Sequence, residues 1–329
     1  MFTPPTDVDP GELSRLLERR WGLVEPALEY APVGFGSHHW WCGTGDGTRY
    51  VVSADDLYAA QHGAPPDAVA AVLDRAYRTA VALREDAGLE FVVALIRNDE
   101  GGVVCAFGDR YVVRVEPFVE GVTADNGPYT SRAERRRVAT AIGRLHAATA
   151  RLPAGLARRD DLAIPSRAGL EGALADLRAP WTAGPYGEPG RSLLQTYAAD
   201  LRRRLRAFDE VAERTLAGAG APVVTHGEPH RGNVVMGRDG TVHLVDWDTA
   251  LVAPRERDLR TVLDEDGTGW AEYTAEAGDV VLRRDVLELY REWWELAEIA
   301  IYVTQFRTSH RESEDTRVAW EGLNGYLTA

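Results

Sequence analysis

The chain has 329 residues, 45% of them hydrophobic and 27% charged, and its formal net charge is -14. Such a length suits one bilobal unit or two domains, and the composition is that of an ordered globular protein. The acidic balance argues against a broad nucleic-acid footprint, because phosphate backbones would be repelled. Every one of the 37 Lys and Arg positions is arginine. Any mechanism that needs a lysine is therefore excluded.

Asp9-Pro10 reads as a helix cap with proline at the first helical position, and Leu13, Leu16 and Leu17 form a stripe that Gly22 ends. The pattern then changes to short β-like runs. Leu28–Phe35 and His38–Cys42 flank Gly34 and Gly36, and Arg49–Ser53 follows a glycine-rich turn. A long Ala-rich helix is expected from Pro66 to about Gly88. Strands are expected at Glu90–Arg97 and Arg110–Phe118, with Val103–Phe107 between them. The N-terminal third thus reads as a five-stranded antiparallel sheet with one inserted helix, not as a Rossmann-type alternation. The turn-rich segment from Glu120 to Pro128, which includes Asn126, marks the boundary. Beyond it helices dominate, notably Ala133–Ala150, Arg191–Ala217 and much of Asp279–Thr328, interrupted by a β patch over Pro222–Asp246.

Cys42 and Cys105 are too few for a disulfide framework or a zinc cluster. No basic-then-apolar segment opens the chain, and no apolar run approaches about 18 residues. The expectation is a cytoplasmic protein without a membrane span.

The chemistry is concentrated in Val223–Asp248. An apolar strand leads into Thr225-His226-Gly227-Glu228-Pro229-His230-Arg231-Gly232-Asn233. Another strand, a tight turn and a third strand then end at Asp246-Trp247-Asp248. A hairpin of this kind brings Asn233 and Asp246 together. Amide and carboxylate oxygens suit Mg²⁺, a hard cation that takes its remaining ligands from phosphate and water. Glu228, upstream on the same loop, is placed to face an acceptor hydroxyl. A zinc reading of His226–His230 fails, because Pro229 and the glycines prevent the helix that such a motif requires.

His226-x-Glu228-x-x-x-x-Asn233 followed by Asp246 resembles the catalytic and metal-binding loops of the aminoglycoside phosphotransferase family. The later run Ala253–Leu259 is similar to that family's next segment. The resemblance implies an α+β, protein-kinase-like bilobal fold. It has a small antiparallel-sheet lobe at residues 1–119, which binds nucleotide, and a larger, mainly helical lobe at 120–329, which carries catalysis and the acceptor. It implies an ATP- or GTP-dependent O-phosphotransferase that uses Mg²⁺ on Asn233 and Asp246 and acts on a small, cationic acceptor such as an aminoglycoside or aminocyclitol. Glu228 takes the place of the catalytic aspartate. Gly34, Gly36 and Ser37 form the phosphate loop, and Arg114–Phe118, including Glu116 and Phe118, form the hinge that meets adenine. His226 is structural, and Asp258 braces the catalytic loop.

Two positions depart from the family pattern. Glu228 keeps the carboxylate but adds a methylene. Ser53 stands near the place of the phosphate-binding lysine, which leaves Arg49, His38 or His39 as substitutes, or the metal alone. Arg231 is a candidate for contact with substrate or phosphate. Trp294, Glu298 and Tyr302 share one helix face and read either as core or as a cleft wall, with Glu265, Asp266 and Glu272 as similar acids. Asp248 is either a second metal ligand or a cap. The rival reading is a non-catalytic, pseudokinase-like nucleotide or small-molecule binding protein. The missing lysine favours it, and the retained Asn233 and Asp246 weigh against it.

Overall fold

The computed structural model describes residues 1–124, 127–218 and 221–328. Asn126, part of the expected boundary, lies outside the described residues. Helix α1 (Pro10–Trp21) begins where Asp9 accepts from the Glu12 amide and ends at left-handed Gly22. Strands β1 (Ala27–Ala31), β2 (Ser37–Gly43), β3 (Arg49–Asp56), β4 (Cys105–Phe107) and β5 (Tyr111–Pro117) form one antiparallel sheet in the order β1-β2-β3-β5-β4. Alternation along the strands separates its faces. Trp40, Cys42, Val52, Ala54, Val113 and Val115 pack beneath α1 in an apolar core. His39, Ser53, Asp55, Arg114 and Glu116 fall on the other face, set by the register His39↔Ser53 and Ser53↔Arg114.

The sheet has the expected five strands, but Glu90–Arg97 is not one of them. It is extended chain whose hydrogen bonds are divided between the lobes. Val93 N donates to Leu244 O and Leu244 N to Phe91 O, while Ile96 N reaches Val115 O. A segment shared in this way cannot form a continuous ladder, and β4 supplies the fifth strand instead. Helix α2 (Pro66–Glu85) lies under the sheet's polar face. Its Leu73, Tyr77 and Ala80 share a core with α3 (Arg132–Ala147) and with Leu244 and Trp247.

The remainder is helical: α4 (Arg167–Ala175), α5 (Gly187–Ala217), α6 (Glu256–Val262), α7 (Trp270–Ala277), α8 (Arg284–Arg307) and α9 (Glu314–Thr328). A separate core joins α4, α5, α8 and α9 through residues such as Leu170, Leu201, Ile299 and Leu323. Two small two-stranded sheets interrupt the helices, β6 (Val223–Thr225) with β9 (Leu251–Ala253) and β7 (Val234–Met236) with β8 (Val242–Leu244). No helix among the described residues is long and apolar enough to cross a membrane.

Candidate active site

The loop between β6 and β7 is held from beneath. Asp258 of α6 is fully buried and accepts from the backbone amides of His226 (2.9 Å) and Gly227 (2.6 Å). His146 of α3 lies 3.0 Å from the same carboxylate and 2.8 Å from the Tyr273 hydroxyl. Burial alone would raise Asp258, but His146 first, then His226 and Arg257, hold its carboxyl below the usual range. His226 is also buried. Its Nε2 donates to Val245 O at 2.8 Å, and its Nδ1 accepts from the Glu228 amide at 3.3 Å. Both ring nitrogens are therefore engaged within the loop, in keeping with a structural role. At Gly227 a positive φ (102°) is required, and a Cβ would sit 2.4 Å from the Arg257 guanidinium.

The loop presents Glu228 and Asn233 to one large cavity, and the β7–β8 hairpin presents Asp246 and Asp248 to the same space of about 1440 Å³. Val245 N donates to Asn233 O at 3.1 Å, so the ladder itself sets the amide beside the carboxylate. Asn233 Nδ2 donates to Glu228 O, which leaves Oδ1 as a free acceptor. Asp246 adopts a left-handed backbone (φ 64°), a conformation that Asp tolerates and that often marks a working position. Burial raises Asp246, and Glu228 and Asp55 add to this, while Arg114 opposes it. Asp248 is raised further by burial and by Asp246 and Glu228. Carboxylates that hold one another up in a shared cavity form a site short of positive charge. Among the described residues no three His, Cys, Asp or Glu side chains converge as a ready-made metal cage. Mg²⁺ needs no such cage, since one or two protein oxygens plus phosphates suffice, so the donor set fits it.

Glu228 is about one-quarter exposed. Burial opposes its ionisation, but His230 (3.8 Å), Arg260 and Arg257 outweigh this and lower its pKa. It is ionised at neutral pH, which suits a group that orients a hydroxyl better than one that removes a proton early.

The glycine loop closes the sheet side of the cavity. Gly34 and Gly36 have φ of 71° and 105°, and a Cβ on Gly36 would lie 2.8 Å from Gln61 Nε2. The Ser37 hydroxyl donates to Asp55 at 2.7 Å. Ser53 bonds the His39 ring at 2.9 Å. Of the expected lysine substitutes, Arg49 and His38 are placed elsewhere and His39 carries no charge. Arg49 pairs with Gly43 at the end of β3 opposite the Ser37↔Asp55 pair. Six residues of strand, roughly 20 Å, separate it from the glycine loop. Its guanidinium lies 3.6 Å from the centre of the Phe118 ring. His38 is on the apolar face against Tyr30, Trp40 and Tyr111, and burial pushes it down to about 4. His39 faces the cleft, but burial and then the charge of Arg114 depress it well below the ordinary range. Both rings are neutral at pH 7.

Two of the expected hinge positions have partners in the sheet. Glu116 is within β5, opposite Val51, and its buried carboxylate is bound to Arg114. The Phe118 amide is taken by Arg49 O at 3.1 Å. The Glu116 side chain and the Phe118 amide are therefore engaged within the sheet.

On the far side α8 supplies Trp294, Glu298 and Tyr302 to the cavity lining, joined by Tyr326 of α9. Trp294 Nε1 donates to the Tyr326 hydroxyl at 3.0 Å, and the Tyr302 hydroxyl donates to Glu298. Burial pushes Glu298 up to about 7. Phe35, at the tip of the glycine loop, meets Tyr302 edge-on at 6.1 Å. Glu265 lines the cavity, whereas Asp266 and Glu272 are held in pairs with Arg132 and Arg136. Arg231 is absent from the lining. It opens the tight turn Arg231–Asn233, in which each residue rotates about 120°, so its side chain diverges from that of Asn233. Arg260 was not apparent from sequence. It donates to Gly227 O (3.2 Å), stacks over Trp294 (4.7 Å) and joins the catalytic loop to the acceptor wall. Its only local signal was a cation two residues beyond Asp258.

Residues 28–297 match the model of the phosphotransferase enzyme family. Protein StrN of Streptomyces griseus is 29% identical over 316 residues, covering 92% of this chain and 86% of that protein. The fold is shared with a spectinomycin phosphotransferase in complex with ADP and spectinomycin, at a TM-score of 0.71, 14% identity and coverage of 97% and 95% of the two chains. It is also shared with an amicoumacin kinase bound to AMP-PNP and Ca²⁺, at a TM-score of 0.59, 12% identity and coverage of 98% and 92%. With a sheet lobe, a helical lobe and this loop between them, the chain belongs to the phosphotransferase enzyme family and has its kinase-like fold.

Proposed function

We propose that this phosphotransferase moves the γ-phosphoryl group of ATP or GTP to a hydroxyl of a small cationic acceptor of the aminoglycoside or aminocyclitol type. The observation that carries the proposal is that Glu228, Asn233 and Asp246 line one cavity together with the glycine loop and a carboxylate among aromatic rings. The nucleotide lies under Gly34–Gly36 with its base towards the hinge at the end of β5. Asn233 Oδ1 and the Asp246 carboxylate would hold Mg²⁺, with Asp248 facing the same space. Bound there, the ion neutralises charge on the transferring phosphates. Glu228 accepts a hydrogen bond from the acceptor hydroxyl and aims its oxygen at the γ-phosphorus. As the new P–O bond forms, the bond to the β–γ bridging oxygen breaks, the hydroxyl proton passes to Glu228, and nucleoside diphosphate leaves. Positioning of this kind accounts for most of what phosphoryl transfer requires of a protein. Glu298, Trp294 and Tyr302 offer an ammonium-bearing acceptor one carboxylate and aromatic faces. Spectinomycin and amicoumacin, bound by proteins of this fold, support an antibiotic-like acceptor.

The test is transfer from γ-labelled ATP and GTP to a panel of amine-bearing antibiotics and sugars. Labelled product is expected for at least one cationic member. Asp246→Ala and Glu228→Ala should each lower turnover by about 100-fold or more, and Asp246→Ala should also weaken Mg²⁺-dependent nucleotide binding. Unchanged turnover in Asp246→Ala would refute the metal assignment.

A further inference from the structure

We infer that Arg114 binds the nucleotide's α- and β-phosphates, so that the missing cation of β3 is supplied by the neighbouring strand. The inference rests on the nucleotide-binding reading above. Arg114 lies directly opposite Ser53 in the β3–β5 ladder. Opposed residues of an antiparallel pair project from the same face with Cβ atoms about 5 Å apart. A long cationic side chain at 114 therefore serves the same volume as one at 53, and the small Ser53 leaves room for it.

The surroundings favour this placement. Among the described residues Arg114 is the cation that touches Asp246, with a terminal nitrogen 3.2 Å from Oδ1. Its other terminal nitrogen donates to Glu116 at 2.6 Å, and its Nε lies 3.4 Å from Asp55 without forming a hydrogen bond. Tyr77 of α2 donates to the same Asp55 carboxylate at 2.7 Å and fixes it in place. The guanidinium thus spans from the sheet to a metal-ligand carboxylate, held by acids on either side and with one donor unsatisfied. Phosphate oxygens that share a metal with Asp246 would arrive next to the terminal nitrogen that contacts its Oδ1. Asp246 is 38% exposed, so the cavity reaches this point even though Arg114 itself is covered. Arginine suits the position, since its planar fork can hold a carboxylate and a phosphate together while staying charged.

A purely structural clasp that only positions Asp246 would weaken ADP binding solely through Mg²⁺, whereas a direct phosphate contact also weakens ADP binding without the metal, and the test separates the two. Binding of adenosine, and of ADP with and without Mg²⁺, is measured by calorimetry in the wild type, Arg114→Gln and Arg114→Lys. The wild type is expected to bind ADP more tightly than adenosine. Arg114→Gln should lose roughly 10- to 100-fold in ADP affinity while adenosine affinity stays within about twofold, and Arg114→Lys should recover part of the loss. Equal effects on both ligands, none on ADP, or a loss for ADP seen only with Mg²⁺ would overturn the inference and leave the functional reading standing. A wild type that binds neither ligand would overturn both. Should Arg114→Gln fail to fold, a crystal structure of the wild type with ADP decides the matter. A phosphate oxygen within about 3.2 Å of the guanidinium is expected, and its absence refutes the contact.

Discussion

The two ends of the cavity are built differently. At the catalytic loop the brace consists of backbone groups tied to buried side chains. Asp258 fixes two successive amides, and His226 ties the loop to the strand that carries Asp246. At the acceptor wall the contacts are between side chains on α8 and α9, such as Trp294 with Tyr326 and Tyr302 with Glu298. A phosphoryl group is the same in every reaction of this kind, so a frame fixed through the backbone suits it. An acceptor differs from enzyme to enzyme, and side chains on helices can be exchanged without disturbing the frame. If this contrast is right, damage to the brace should be global and damage to the wall should be selective.

The largest effect is expected at the brace. Asp258→Ala strands two buried amide donors and His146, each such loss costing about 1–3 kcal/mol. We expect a destabilisation of about 3–5 kcal/mol in denaturant unfolding, with loss of turnover for every acceptor. A variant of wild-type stability, or one impaired with a single acceptor only, would break the contrast.

That asymmetry also explains what was legible in the sequence. Glu228, Asn233 and Asp246 fall within nineteen positions, so their convergence needs only one hairpin, whose register the strand and turn residues already specify. The cap at Asp9 and the stop at Gly22 were local in the same sense. By contrast, Trp294 and Tyr326 are 32 residues apart on different helices, and Arg260 meets Trp294 only through tertiary packing. Glu90–Arg97 was misread because its β-like composition reflects burial between the lobes, and composition does not say whether one partner strand or two half-partners will take the hydrogen bonds. The register that sets Arg114 opposite Ser53 depends on a pairing across some sixty residues, which no local pattern displays.

At the wall, pH sharpens the comparison. Burial raises Glu298 from its ordinary 4.5 to about 7. Its folded form therefore binds more protons than its unfolded form between those values, so its contribution to stability falls as pH rises through that window. Function runs the other way, because only the ionised carboxylate attracts a cationic acceptor. Acceptor affinity should rise as pH increases through about 7 in the wild type. Glu298→Gln should flatten that profile and raise the acceptor KM about tenfold, with nucleotide affinity unchanged and with relative stability gained at pH 8 over pH 5. Equal losses for nucleotide and acceptor would show that the wall is part of the frame.

The smallest effect tests the edge of the nucleotide end. Arg49 is half-exposed and its contacts are the Phe118 ring at 3.6 Å and a distant approach to Glu120 at 4.0 Å. An exposed cation–π contact is worth about 0.5–1 kcal/mol. Arg49→Ala should therefore change nucleotide affinity by less than about fivefold, and adenosine and ADP should be affected alike, because the side chain lies near the hinge and far from the phosphates. A loss confined to ADP would place a phosphate contact at Arg49, and the division between a fixed phosphate frame beneath the glycine loop and a tolerant periphery would have to be redrawn.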